Sequence, residues 1–207
     1  MTIKSVLFDL GGVYYSEGFH NGLFAIAAKL DVDPDFFFGA AADAAFSTGY
    51  VTGKVPEKVF WDTLAKKVGV NEDLYPRRQI ILDSFKPMGG MTGLVRETRD
   101  ILPVTLLTDQ TNWLYDLDTR DGLLSEFDHI VSSYEEGFSK REPEIFRETC
   151  QRLGIFPEEG LFFDDNPGNV ERARDFGLLA VVFEGAEAAR ETLIEAGVLS
   201  SGDEDDG

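Results

Sequence analysis

"LFFDDNPGN", residues 161–169, joins an apolar run to two adjacent aspartates and an Asn-Pro-Gly turn. A short apolar run bounded by turn residues reads as a strand buried on both faces. A strand of that kind has no use for charge along its length, so Asp164 and Asp165 belong at its end. Similar runs lie at residues 5–10, 104–108, 130–133 and 179–183. Helix-like periodicity falls between the later runs, at residues 92–100, 143–153, 169–176 and 186–196, with Gly197 as a stop signal. Buried strands alternating with helices predict an α/β fold: a doubly wound, parallel, Rossmann-like sheet covered on both faces.

One interval breaks the alternation. Between residues 16 and 86 there is no strand run, only the helical patterns "GLFAIAAKL", "DPDFFFGAAADAAFSTG", "PEKVFWDTLAKKVGV" and "DLYPRRQIILDSF". The chain therefore divides into a sheet domain, residues 1–14 and 87–199, and an all-helical insert after the first strand, residues 15–86. Residues 200–207, Asp- and Glu-rich, read as a disordered tail. Phe36, Phe37 and Phe38 read as core rather than pocket, and so do His20 and His129, neither of which has a sequence partner for metal or base chemistry.

Composition limits the partners. The 207 residues carry 38 Asp and Glu against 19 Lys and Arg, a formal charge of −19. That field disfavours nucleic acid and anionic membranes as partners. No apolar run approaches the ~20 residues that span a bilayer. Cys150 is the single cysteine, so no internal disulfide forms, and a reducing cytoplasmic setting is expected. The sequence carries no signal for an oligomeric state.

In open α/β sheets, ligands bind beyond the carboxyl ends of the strands. Here those ends carry polar residues: Asp9 after the first run, Thr108 and Asp109 after the second, and Asp164 with Asp165 after the fourth. Lys140 follows the third run, just ahead of a helix. One carboxylate alone would be a helix cap or a solvated turn. Several converging carboxylates repel one another unless a cation joins them, and hard oxygen ligands suit Mg²⁺.

On these residues the sequence resembles the haloacid dehalogenase superfamily of phosphatases. "DLGGV" at Asp9, Thr108 closing a strand, "GFSKREP" at Lys140 and "FFDDNPGN" resemble its four motifs, in order. The insert resembles the helical cap of members near the sugar-phosphate phosphatases and the phosphatase domain of soluble epoxide hydrolases. The resemblance implies a small phosphorylated substrate and Asp9 as nucleophile. It implies Mg²⁺ on Asp9, the Gly11 carbonyl and Asp165, with Asp164 acting through a bound water or Lys140. Phosphate would be held by Thr108, Lys140 and the Gly11 and Gly12 amides, beside Asp109; Asn169 would cap or brace the loop. Three positions depart from the family pattern. Gly11 replaces the aspartate that acts as general acid, and this glycine is expected to be tied to a positive φ. Asp109 replaces a usual asparagine, and Arg141 a usual proline. A degenerate binding protein and a metal-free dehalogenase are the alternatives.

Overall fold

The computed structural model describes residues 2–201, so all but the first two residues of the expected tail at 200–207 lie outside the described residues. Five parallel strands, β1 (Ser5–Phe8), β2 (Val104–Thr108), β3 (His129–Ser132), β4 (Gly160–Asp164) and β5 (Leu179–Val182), form one sheet in the order β3-β2-β1-β4-β5. All five apolar runs are strands. β1 is central, pairing Phe8 with Leu106 of β2 and with Phe163 of β4. The chain crosses from one side of β1 to the other, which opens a crevice at the carboxyl ends of β1 and β4.

The period of two along each strand divides the core. Val6, Phe8, Leu106, Leu161 and Phe163 face one cluster, while Leu7, Leu107, Val131 and Phe162 face another. Phe8 and Phe163 stack at 5.3 Å between ring centroids. The second face is covered by α8 (Pro143–Leu153) and α9 (Pro167–Phe176).

Between β1 and β2 the chain is helical: α1 (Gly18–Leu30), α2 (Pro34–Ser47), α3 (Glu57–Val68), α4 (Arg78–Ser84) and α5 (Met91–Arg99). The remaining helices are α6 (Trp113–Asp121), α7 (Ser133–Glu136) and α10 (Ala186–Glu195). Leu23, Phe37, Trp61 and Ile81 from α1–α4 join the same cluster as Phe8 and Leu106, so insert and sheet share one core. Among the described residues, no helix is long and apolar enough to cross a membrane.

The three consecutive phenylalanines do not share one fate. On a helix they point about 100° apart. Phe37 is fully buried, Phe36 is exposed, and Phe38 is half-buried at the edge of a cleft. Only the middle one is core.

A half-buried carboxylate fastens the insert to α6. Glu57 Oε1 accepts from Trp61 Nε1 (2.9 Å), Trp113 Nε1 (2.8 Å) and Arg78 Nε (2.9 Å). Its Oε2 accepts from Asn112 Nδ2 at 3.0 Å, and Asn112 Oδ1 accepts from Tyr50 Oη at 2.6 Å. Burial alone would raise the Glu57 pKa, but the donors outweigh it and hold the group below the ordinary 4.5. Its contribution is therefore fully present above that value and is lost as pH falls through the lowered one. Removing the acceptor strands two indole N–H groups and an arginine, and Glu57→Leu is expected to cost about 3 kcal/mol. Urea unfolding followed by tryptophan fluorescence measures this, with Lys58→Ala, on the same helix but exposed, staying near the wild-type midpoint.

Candidate active site

β1 delivers Asp9 into the crevice, where its amide donates to Phe163 O at 2.9 Å. The chain then turns back, with Tyr15 N donating to Leu10 O at 2.8 Å. Gly12 makes that return possible. Its φ is +76°, and a Cβ there would lie 2.2 Å from Asp165 Oδ2. Gly11 differs from expectation: its φ is not in the left-handed region, and a Cβ would meet nothing within 4 Å. The glycine that the backbone requires is Gly12.

Lys140 reaches the same point from the loop before α8. Its Nζ lies 2.8 Å from Asp9 Oδ1 and 2.6 Å from Asp164 Oδ2, and the lysine is 1% exposed. Burial would push its proton off, but Asp164, Asp9 and Asp109 pull the pKa well above the usual lysine range. Beneath it, the Phe162 ring centroid lies 5.6 Å from Nζ. Asp109 does not face the cleft as a bare charge: its Oδ1 accepts from Lys140 N at 2.8 Å. Burial raises its pKa, partly countered by Lys140.

Asp164 is fully enclosed and its oxygens are engaged. Besides Lys140, it accepts from Asn166 N at 2.8 Å and from Asn169 Nδ2 at 3.1 Å to each oxygen. Asn169 thus braces Asp164, while the cap of α9 is Asn166, whose side chain accepts from Gly168 N and Asn169 N. Arg172, not singled out from sequence, ties this together by donating to Lys140 O (2.9 Å) and Asn169 Oδ1 (2.7 Å). Asp165 is the freer acid. Burial, a hydrogen bond with Glu17 and the charges of Asp9 and Glu17 raise its pKa to about 8. Asp9 is pushed up to about 7 by burial and by Asp164, against the pull of Lys140.

One oxygen from each of Asp9, Asp164 and Asp165 can be chosen so that all three lie within 4.8 Å of one another. The donors are hard oxygens, and two of the three carboxylates hold their protons unusually tightly. This is the state of an acidic cluster short of positive charge, and a divalent cation fits it. Thr108, buried at the end of β2, lines the same cleft, and its hydroxyl makes no hydrogen bond among the described residues.

The cleft has a volume of about 430 Å³. Asp9, Gly11, Thr108, Asp109 and Lys140 line its floor; Phe38, Phe46 and His20 of the insert line its roof. His20 is therefore not core. Its ring stacks on Phe24 at 4.1 Å and meets Phe38 edge-on at 5.0 Å. His129 opens β3 and is not among the cleft residues. Glu17 also lines the cleft, and nothing in "YYSEG" marks it, since only the return of the chain at Gly12 carries it to Asp165.

Residues 3–177 match the model of a family described as haloacid dehalogenase-like hydrolase. Among curated proteins, the chain is 36% identical over 88 residues to bifunctional epoxide hydrolase 2 of Rattus norvegicus, covering 39% of this chain. That match spans only 16% of the relative's length. Among solved structures, a HAD family enzyme from Bacteroides thetaiotaomicron superposes with a TM-score of 0.71 at 21% identity, covering 93% of this chain and 99% of its own. The same enzyme is known in complex with magnesium and inorganic phosphate, with a TM-score of 0.65 at 21% identity over 88% of this chain and 95% of its own. L-2-haloacid dehalogenase from Xanthobacter autotrophicus superposes with a TM-score of 0.68 at 18% identity, covering 96% of this chain and 85% of its own. These structural likenesses concern the fold. The family match extends from before β1 to the end of α9 and takes in all the strand-end residues of the crevice, and the chain belongs to the haloacid dehalogenase-like hydrolases.

Proposed function

We propose that the protein is a Mg²⁺-dependent phosphatase that hydrolyses a small organic phosphate monoester through an aspartyl-phosphate on Asp9. The observation that carries this reading is the buried Lys140, which pins one Asp9 oxygen and leaves the carboxylate beside a second, under-neutralised acid at Asp165. The magnesium–phosphate complex of the similar Bacteroides enzyme supports it. Asp9 attacks phosphorus, the bond to the leaving oxygen breaks, and water then releases phosphate, so one difficult displacement becomes two easier ones. Asp9, Asp165 and the Gly11 carbonyl would hold Mg²⁺, which supplies positive charge for the phosphoryl oxygens when bound. Lys140 orients Asp9 and phosphate, Asp164 orients Lys140, and the Thr108 hydroxyl with the Gly11 and Gly12 amides donates to phosphate. Residues 15–86 act as a cap that closes the cleft above the sheet domain. Gly11 favours a second reading, a binding protein that has lost turnover, and the same assays decide between them.

Asp9→Asn is expected to lose all measurable turnover of 4-nitrophenyl phosphate while remaining folded by circular dichroism. Asp165→Ala should lose most activity and its dependence on added Mg²⁺. Wild-type turnover that survives excess chelator would sink the reading.

The raised carboxylates set a pH dependence. Acids whose folded pKa values are about 7 and about 8 contribute stability that is present below the ordinary 3.8 and lost as pH rises through those values. The protein without metal should therefore lose stability toward pH 8, and Mg²⁺ should restore it. The gain in melting temperature on adding Mg²⁺ should be larger at pH 8.5 than at pH 6, and should vanish in Asp165→Asn. An equal gain at both pH values would contradict the assignment.

Gly11 sets the leaving-group dependence. Without a donor there, the departing oxygen carries more charge, so kcat/KM should fall steeply as leaving-group pKa rises. General acid catalysis is worth ~10²–10⁴-fold, so Gly11→Asp should help alkyl phosphates by up to that range and aryl phosphates much less. The backbone permits the test, because Gly11 has open space and no positive φ. A shallow wild-type slope would mean that another group donates the proton, with Asp109→Asn as the variant that identifies it.

A further inference from the structure

Arg141 follows Lys140 and stands apart from every other arginine of the chain. Each of the others makes an ion pair or a hydrogen bond, as Arg172 does to Lys140 O and Arg147 to Glu144. The Arg141 guanidinium makes neither among the described residues; only its backbone N–H donates, to Ser139 Oγ at 3.3 Å. The residue is exposed at the cleft, and its Cζ lies 3.4 Å above the centroid of the Phe46 ring. Stacking occupies a face of the planar guanidinium and leaves the N–H donors along its edge unused. Both residues line the cleft, Arg141 from the sheet domain and Phe46 from α2. Asp109 lies within its field, yet the Asp109 carboxylate accepts the Lys140 N–H instead.

In a chain with 38 acidic residues, Arg141 is the one arginine whose guanidinium has no hydrogen-bond or ion-pair partner among the described residues. The two other cations lining the cleft are engaged: Lys140 with Asp9 and Asp164, Arg172 with Lys140 O and Asn169. We propose that Arg141, stacked on Phe46, binds a second anionic group on the organic part of the substrate. The substrates would then be phosphate esters that also carry a carboxylate or a second phosphate. This rests on the phosphatase reading and adds to it a specificity residue that faces the leaving group rather than the reacting phosphate.

The test uses non-hydrolysable probes with Mg²⁺ present, read by tryptophan fluorescence, since Trp113 lines the cleft. Phosphonoacetate, phosphonopropionate and phosphonobutyrate are compared with alkylphosphonates of matched length that lack the second anionic group, and alkane bisphosphonates form the second-phosphate arm. A charge-assisted pair should tighten at least one length roughly tenfold or more over its match lacking that group. That preference should fall toward unity in Arg141→Met, which keeps an apolar stem over Phe46, and should shrink at high salt. The arm that responds tells carboxylate from phosphate. Equal affinity across both arms, or a preference that survives in Arg141→Met, overturns the inference and leaves the phosphatase reading standing. If no phosphonate binds at all, both fall.

Discussion

A single ammonium group, Lys140 Nζ between Asp9 and Asp164, is the interaction on which the rest of the site depends. Burying a charge costs several kcal/mol unless it is paired with good geometry. Here the partners are supplied by two adjacent strands, β1 and β4, whose register places their carboxyl ends side by side. The lysine holds Asp9 in one rotamer and spends Asp164 in doing so. Asn166, Asn169 and Arg172 then complete the oxygens around that pair. The α9 cap and the floor of the cleft are one hydrogen-bonded unit.

The same arrangement leaves the site short of positive charge. Asp9, Asp109, Asp164, Asp165 and Glu17 converge on a region whose cations are Lys140, Arg141 and Arg172. Burial raises the pKa values of Asp9, Asp109 and Asp165, and the neighbouring carboxylates add to the rise. Stability is given up at this point and must come from elsewhere. The shared core of insert and sheet, and the Glu57 node that gathers Trp61, Trp113, Arg78 and Asn112, are where the structure recovers it.

Legibility in the sequence followed burial. β1, β2 and β4 are buried along their whole length and the edge strands β3 and β5 in part, yet all five read as apolar runs and their ends could be placed within a residue or two. Helix α6 went unread because "WLYDLDTRD" buries only Trp113, Leu114 and Leu117 and leaves its acids outside. Helix α7 is four residues long and has no period to detect. The strand-end residues were legible because charge ending an apolar run is anomalous in itself. Glu17, His20, Phe38 and Arg172 were not, since each reaches the cleft only through how the insert or α9 packs. The two glycines show the same limit. "GG" marks a tight turn, but only the position of Asp165 decides that Gly12 carries the positive φ and Gly11 does not.

That division between the glycines bears on which residues position 11 can hold. Had Gly11 held the strained conformation, an aspartate there would be excluded by the backbone, and its absence would follow from the fold. With open space at Gly11 and the constraint at Gly12, the fold accepts either residue at position 11. The missing carboxylate is thus a matter of chemistry, and electrostatics gives it a reason. A further acid at Gly11 would join Asp9 and Asp165, whose pKa values already stand at about 7 and about 8, and would raise the charge opposing any anion that enters the cleft. On the proposed phosphatase reading, leaving groups that depart as stable anions need no donor, and a site that takes them would gain from keeping that position neutral.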